Sequence, residues 1–164
     1  MKAMKKILAF ALAGVMALAL LTGCGTGGSA SHKSIAKAME DYSRVMIDPD
    51  ITYTSSAKLD AKLQELAADP IFEAVVKAVY NGQSPTIPAG VVPNNKVVYL
   101  YCGKYDKDAG KQAINLNAWG HYTHIGSNST LADERQIGLI TTSCTDTNGK
   151  EVKVRFAVVV SPKP

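Results

Sequence analysis

Two histidines three residues apart, His121 and His124, lie in the segment Trp119-Gly120-His121-Tyr122-Thr123-His124, and their type suits them to hold a metal ion or move a proton. Their spacing decides against a shared ion if the segment is extended. On a strand, residues three apart point to opposite faces, and only a helix or turn would bring both rings to one site. A catalytic zinc also needs three protein ligands, and no carboxylate occurs between His121 and Asp133. No metal and no cofactor is therefore expected. His121 alone fits either a proton-transfer role or a histidine buried in a sheet with one hydrogen bond. The nearby Trp119 and Tyr122, with Tyr99 and Tyr101, fit either a groove for sugar or peptide or ordinary core and edge packing. Trp119, His121, Tyr122 and His124 are the candidate ligand-binding residues, and no catalytic residue is assigned.

Nucleophiles are scarce. The chain has no Gly-x-Ser-x-Gly elbow, no phosphate-cradling loop and no Ser-x-x-Lys in a convincing setting. Ser143-Cys144 falls at an expected strand end, and Ser34 is explained as a helix cap. Of the three cysteines, Cys24 follows a long apolar run and is treated below. Cys102 and Cys144 form no Cys-x-x-Cys and carry no local signature of a thiol protease. In an oxidising compartment they could close a loop of about 40 residues, worth about 3–4 kcal/mol. A pair of buried free thiols fits equally well.

The compartment is read from the N-terminus. Lys2, Lys5 and Lys6 precede a 15-residue apolar run, Ile7 to Leu21, which is shorter than the ~20 residues a membrane-spanning helix needs. That is the pattern of an export signal. It ends in Leu21-Thr22-Gly23-Cys24, which resembles the bacterial lipobox, and the resemblance implies diacylation of the Cys24 thiol followed by cleavage before it. Residues 1–23 are then a lipoprotein signal peptide, and the mature chain of 141 residues is long enough for one domain with a core. Loss of three lysines brings 18 basic residues to 15 against 14 acidic, so the formal charge falls from +4 to +1. No basic patch or helix remains to suggest nucleic acid. The expected partner is the membrane, through the N-terminal lipid, with the domain on the extracytoplasmic side.

Residues 24–33 are rich in Gly, Ser, Thr and Ala and read as a flexible tether in which His32 is merely solvated. A single domain is expected over 34–164. Ser34 caps a first helix with Ile35, Met39, Tyr42 and Met46 on one face, stopped by Pro49. Ile51-Thr52-Tyr53 is a short extended bridge; Ser55 or Ser56 caps a second helix striped by Leu59, Leu63 and Leu66. Asp69-Pro70 opens a third, ended by Asn81-Gly82. Residues 83–95 hold Pro85, Pro88, Gly90 and Pro93, and an irregular stretch of that length often lines a site. Beyond it, Val97–Cys102, Gln112–Trp119, Ile137–Cys144 and Val152–Val160 read as strands, with Asn148-Gly149 the hairpin turn. Helices followed by an antiparallel meander predict an α+β fold.

Gly120-His121-Tyr122-Thr123, followed by His124-Ile125, resembles the Gly-His-Tyr-Thr-Gln-hydrophobic signature of the CAP superfamily, the cysteine-rich secretory, antigen 5 and pathogenesis-related proteins. Tyr42 to Leu66 is similar to that family's opening helix, turn and second helix, and Ile137-Gly138-Leu139 through Val160 to its closing strands. The chain departs from the family in lacking the Gly-Glu-Asn segment, in having Gly126-Ser127 where a tryptophan is usual, and in placing only His121 on a position of the usual two-histidine, two-glutamate cavity. The resemblance implies an α-β-α sandwich and extracellular binding of small molecules, lipids or proteins. The expectation is a lipid-anchored binding or interaction module. The alternatives are an envelope hydrolase using His121 and a structural accessory lipoprotein without a ligand.

Overall fold

The computed structural model describes residues 30–85, 96–118, 122–125 and 131–162. Helix α1, His32–Met46, buries Ile35, Ala36, Met39 and Ser43 along one face. Its cap is Ser31 and not Ser34: the Ser31 hydroxyl accepts the Ser34 N–H at 3.1 Å, and Ser34 returns its own hydroxyl to the Ser31 carbonyl at 2.8 Å. Residues 32 and 33 therefore belong to the helix and not to the tether. The four-residue strand β1, Thr52–Ser55, leads to α2, Ala57–Leu66, capped by Ser56 and buried through Leu59, Leu63 and Leu66. Helix α3, Pro70–Tyr80, has Asp69 as its cap and proline in its first turn, and buries Phe72, Val75, Val76 and Val79. Of the proline-rich segment, residues 86–95 lie outside the described residues.

Strand β2, Lys96–Lys104, is followed by α4, Ala109–Leu116, then β3, Tyr122–Ile125, β4, Glu134–Thr145, and β5, Glu151–Pro162. The expected strand over 112–119 is thus a helix as far as Leu116. Its buried residues are Gln112, Ala113 and Leu116, one helical face, while Ile114, which seemed to complete an alternating pattern, is 58% exposed. Gln112 can be buried because its side chain accepts the Asp106 N–H at 2.8 Å and donates to the Lys104 carbonyl at 3.2 Å. The β4–β5 turn forms as predicted, with Gly149 at φ 77° and the Asp146 carboxylate accepting the N–H groups of Asn148 and Lys150.

The sheet order is β1-β4-β5-β2-β3. Every neighbouring pair is antiparallel except β1 with β4, so the sheet is mixed and not purely antiparallel. The cause is the short bridge between two helices on opposite faces. It crosses the edge of the sheet alongside β4, with the Thr52 N–H donating to the Asp133 carbonyl and the Ser56 N–H to that of Ile137.

Alternation along the strands divides the core in two. Ile137 and Leu139 of β4, Ala157 and Val159 of β5, and Val97 and Tyr101 of β2 meet α1 and α4. Ile140 and Cys144, Phe156 and Val158, and Leu100 and Cys102 meet α2 and α3, where Phe72 stands edge-on to Phe156 with ring centroids 5.3 Å apart. The result is an α+β domain of three layers, α-β-α. Two glycines let the helices settle onto the sheet: a Cβ on Gly138 would meet Leu59 of α2, and one on Gly103 would meet the backbone at Asn115 and Leu116 of α4.

Candidate functional site

Trp119 and His121 lie outside the described residues, as does Cys24. Tyr122 and His124 are in β3, opposite Tyr101 and Tyr99 of β2 respectively, and β3 is the outermost strand on that side of the sheet. The aromatic residues of β2 are packing elements with polar tips. Tyr99 and Tyr101 stand 6.2 Å apart at 45°. Tyr101 is buried, and burial above all, then the nearby Tyr53, holds its hydroxyl pKa well above the ordinary value. Tyr53 in turn accepts a hydrogen bond from Arg135 Nη1 at 3.0 Å, and the guanidinium lies 5.4 Å from the Tyr53 ring. Arg135 Nε donates to the Ala132 carbonyl at 3.0 Å, so this buried cation is satisfied by fixed partners.

Of the two readings left open for Cys102 and Cys144, a disulfide or buried free thiols, the fold has the second: both are free and buried. Cys102 stands opposite Phe156 on one side of β5, and Cys144 opposite Val152 on the other. Two strand spacings alone separate them by ~9–10 Å, beyond the ~7 Å between Cα atoms that a bridge tolerates. Burial pushes the Cys102 thiol well above its ordinary pKa, with Cys144 adding to the shift. Burial likewise raises Cys144 to about 11, opposed by Lys77. Thiols so shifted are protonated at neutral pH and make poor nucleophiles.

A polar corner that the sequence did not disclose is built where β1 ends. Beyond Ser55, opposite Ile137, no described strand pairs with β4 on its outer side. Asp60, in the first turn of α2, supplies the missing acceptor: one carboxylate oxygen takes the Leu139 N–H at 2.7 Å. Its other oxygen lies 2.8 Å from His32 Nδ1, at the start of α1. His32, expected to be solvated in the tether, instead ties the first helix to the second. A carboxylate-oriented imidazole is the base half of a nucleophilic dyad, which also requires a hydroxyl or thiol on the ring. Among the described residues no such group bonds to His32, and no cluster of three His, Cys, Asp or Glu could hold a metal ion. Nothing local in the sequence links His32 to Asp60, 28 positions away.

The outer edge of β4 continues past this corner. Because backbone groups alternate in direction along a strand, the outward Leu139 N–H implies that Thr141 and Ser143 also direct N–H and C=O away from β5. At the far end the outward Thr145 carbonyl accepts the Asn81 side-chain amide at 3.0 Å. Beside this stretch, over β4 and β5, lies an open trough of about 530 Å³ lined by Thr141, Thr142, Ser143, Glu151 and Lys153. Lys153 is steadied there by the Tyr105 ring, with its Nζ 4.1 Å from the centroid. The trough offers hydroxyls and one charge of each sign beside main-chain groups that no described strand pairs, which suits binding.

No family model, curated protein or solved structure matches this chain.

Proposed function

We propose that the chain is a lipid-anchored binding or interaction module of CAP-like type, held on the extracytoplasmic face of a cell membrane by acyl chains on Cys24. The apolar run ending in Leu21-Thr22-Gly23-Cys24 supports the anchor, and the α-β-α layering is the architecture the family resemblance implies. The observation that carries the binding reading is the β4 edge, where an open, hydroxyl-lined trough adjoins a stretch that no described strand pairs once β1 has ended. The hydrolase reading rests on His121, which lies outside the described residues, and the carboxylate-oriented His32 has no hydroxyl or thiol bonded to it among the described residues. No described helix is long and apolar enough to cross a membrane. The described chain begins at Ala30, whose N–H donates to the Lys107 carbonyl at 3.0 Å. Six residues, Cys24 to Ser29, then span at most about 20 Å, which keeps the domain close to the bilayer.

The test is replacement of Cys24 by Ala with fractionation of cells and mass spectrometry of the N-terminus. Wild-type protein is expected in the membrane fraction with an acylated Cys24, and the variant as soluble protein or unprocessed precursor. A wild-type N-terminus without an acyl adduct, cleaved at another residue, refutes the anchor.

A further inference from the structure

We propose that the chain pairs with a second copy of itself through the β4 edge, residues 141–143 of one copy running antiparallel to 141–143 of the other about a two-fold axis at Thr142. The observation is the arrangement of caps on that edge. In an antiparallel pair centred on Thr142, Thr141 and Ser143 of the second copy would exchange both main-chain hydrogen bonds, and Leu139 would face Thr145. In each copy, the Leu139 N–H is already taken by Asp60 and the Thr145 carbonyl by Asn81. Those two groups are the ones that would have been each other's partners in this register. The donors and acceptors left over, the Leu139 carbonyl, both groups of Thr141 and Ser143, and the Thr145 N–H, close on themselves with none orphaned. A register shifted by two residues would set a capped group against an uncapped one and leave the latter unpaired.

The side chains agree. Thr141 would stand across from Ser143 and Thr142 across from its own copy, so small hydroxyl residues meet at the axis and no like charges are directly opposed. This short edge carries neither proline nor lysine, the residues that commonly block such pairing; Lys153 is on the next strand in, with its Nζ over the Tyr105 ring.

Orientation supplies a second argument, one that rests on the lipid-anchor reading. The two-fold axis of a continuous antiparallel sheet is normal to the sheet, so both copies place the α1 and α4 layer on the same side. The chain enters each domain on that layer, at Ala30. Both tethers can therefore reach one membrane, and confinement there raises the effective concentration for an otherwise small contact. An isologous pair of this kind is closed and does not propagate into fibres.

The experiment introduces Thr142→Cys into the full chain and oxidises it gently in its native membranes, with Thr54→Cys on β1 as the reference. Residues facing each other across the axis in an antiparallel pair are close enough for a disulfide, whereas Cys102 and Cys144 are buried and compete poorly. Thr142→Cys is expected to give a disulfide-linked dimer on a non-reducing gel and Thr54→Cys to give none; equal yields overturn the pairing. Adding Ser143→Pro removes an outward N–H from both copies and leaves the β4–β5 ladder intact, so the dimer yield should fall by about tenfold. If that variant misfolds, Thr141→Lys serves instead, and undiminished dimer in a folded variant overturns the proposal. Mass spectrometry of the same samples separates the two readings. Acylated Cys24 without dimer refutes the pairing alone, while dimer from a chain lacking acyl groups refutes the anchor alone.

Discussion

Asp60 holds three elements together, and removing its carboxylate tests whether the corner is as described. In Asp60→Ala, the Leu139 N–H loses its acceptor and His32 loses its partner. A hydrogen bond to a charged acceptor contributes ~1.5–3 kcal/mol, and the 22% exposure of the Asp60 side chain lets water recover part of the loss, which places the N–H contribution near the lower end. The His32 contact, with 34% of that ring exposed, is worth only ~0.5 kcal/mol after screening. The expected costs are therefore about 2 kcal/mol for Asp60→Ala and about 0.5 kcal/mol for His32→Ala, with a coupling near 0.5 kcal/mol in the double variant. For a domain of this size, 2 kcal/mol lowers the melting temperature by roughly 8 °C. Urea denaturation followed by circular dichroism measures all three. Asp60→Asn, which keeps an acceptor for Leu139, should fall between wild type and Asp60→Ala. The reasoning fails if Asp60→Ala costs no more than His32→Ala, because the Leu139 bond would then contribute nothing, and it fails in part if the two variants are strictly additive.

The Glu40 carboxylate is held below its usual pKa, first by the Tyr53 N–H it accepts at 3.0 Å and then by Lys37 and Arg44. A lowered folded-state pKa means stabilisation that is fully present above the unfolded value of 4.5 and lost as pH falls through the folded one. Stability curves of wild type and Glu40→Gln should therefore differ at pH 7 and converge on acidification, and a constant gap down to pH 2–3 would contradict this. Gly138→Ala should cost about 3 kcal/mol or more, since the new methyl lies 2.9 Å from the Leu59 carbonyl carbon with no room to shift α2. Gly110→Ala, in the first turn of α4 with only Asp108 Oδ1 nearby at 3.4 Å, should gain about 0.5–1 kcal/mol; chemical denaturation giving both the same sign would refute the assignment of these contacts.

Most of the architecture was legible because the signals were local. Asp69-Pro70, the leucine stripe of α2 and Asn148-Gly149 each announce their element within a few residues, and all three appear where expected. The error over 112–119 has a physical origin. Its apolar residues alternate by chance, and the decisive facts, a buried Gln112 and an exposed Ile114, depend on contacts to residues 104–106. The α1 start was missed by three residues because two serines three positions apart, Ser31 and Ser34, can each cap and only one does. The polar corner was illegible for a deeper reason. His32, Asp60 and Leu139 come from three elements and acquire meaning only through where β1 stops. The cysteine pairing was undecidable for the same cause: spacing along the chain says nothing about an intervening strand, and β5 is that strand.

The position of β5 also has a consequence for how the chain comes into being. Both β4 and β2 pair with β5, which is the last of the described elements in the chain. Until residues 151–162 have been made, β1–β4 and β2–β3 have no strand to join them, so the helices lack the continuous sheet on which they finally pack. Sixty-two positions separate Val98 of β2 from its partner Val160 of β5, and such distant pairings slow the search for the native state. The nascent chain must therefore wait, with its apolar faces uncovered, in whatever compartment receives it, which makes it a client for holding chaperones during that interval. A stop codon anywhere before Val154 would remove the middle of the sheet, not a peripheral strand, and would leave no folded fragment for proteases to spare.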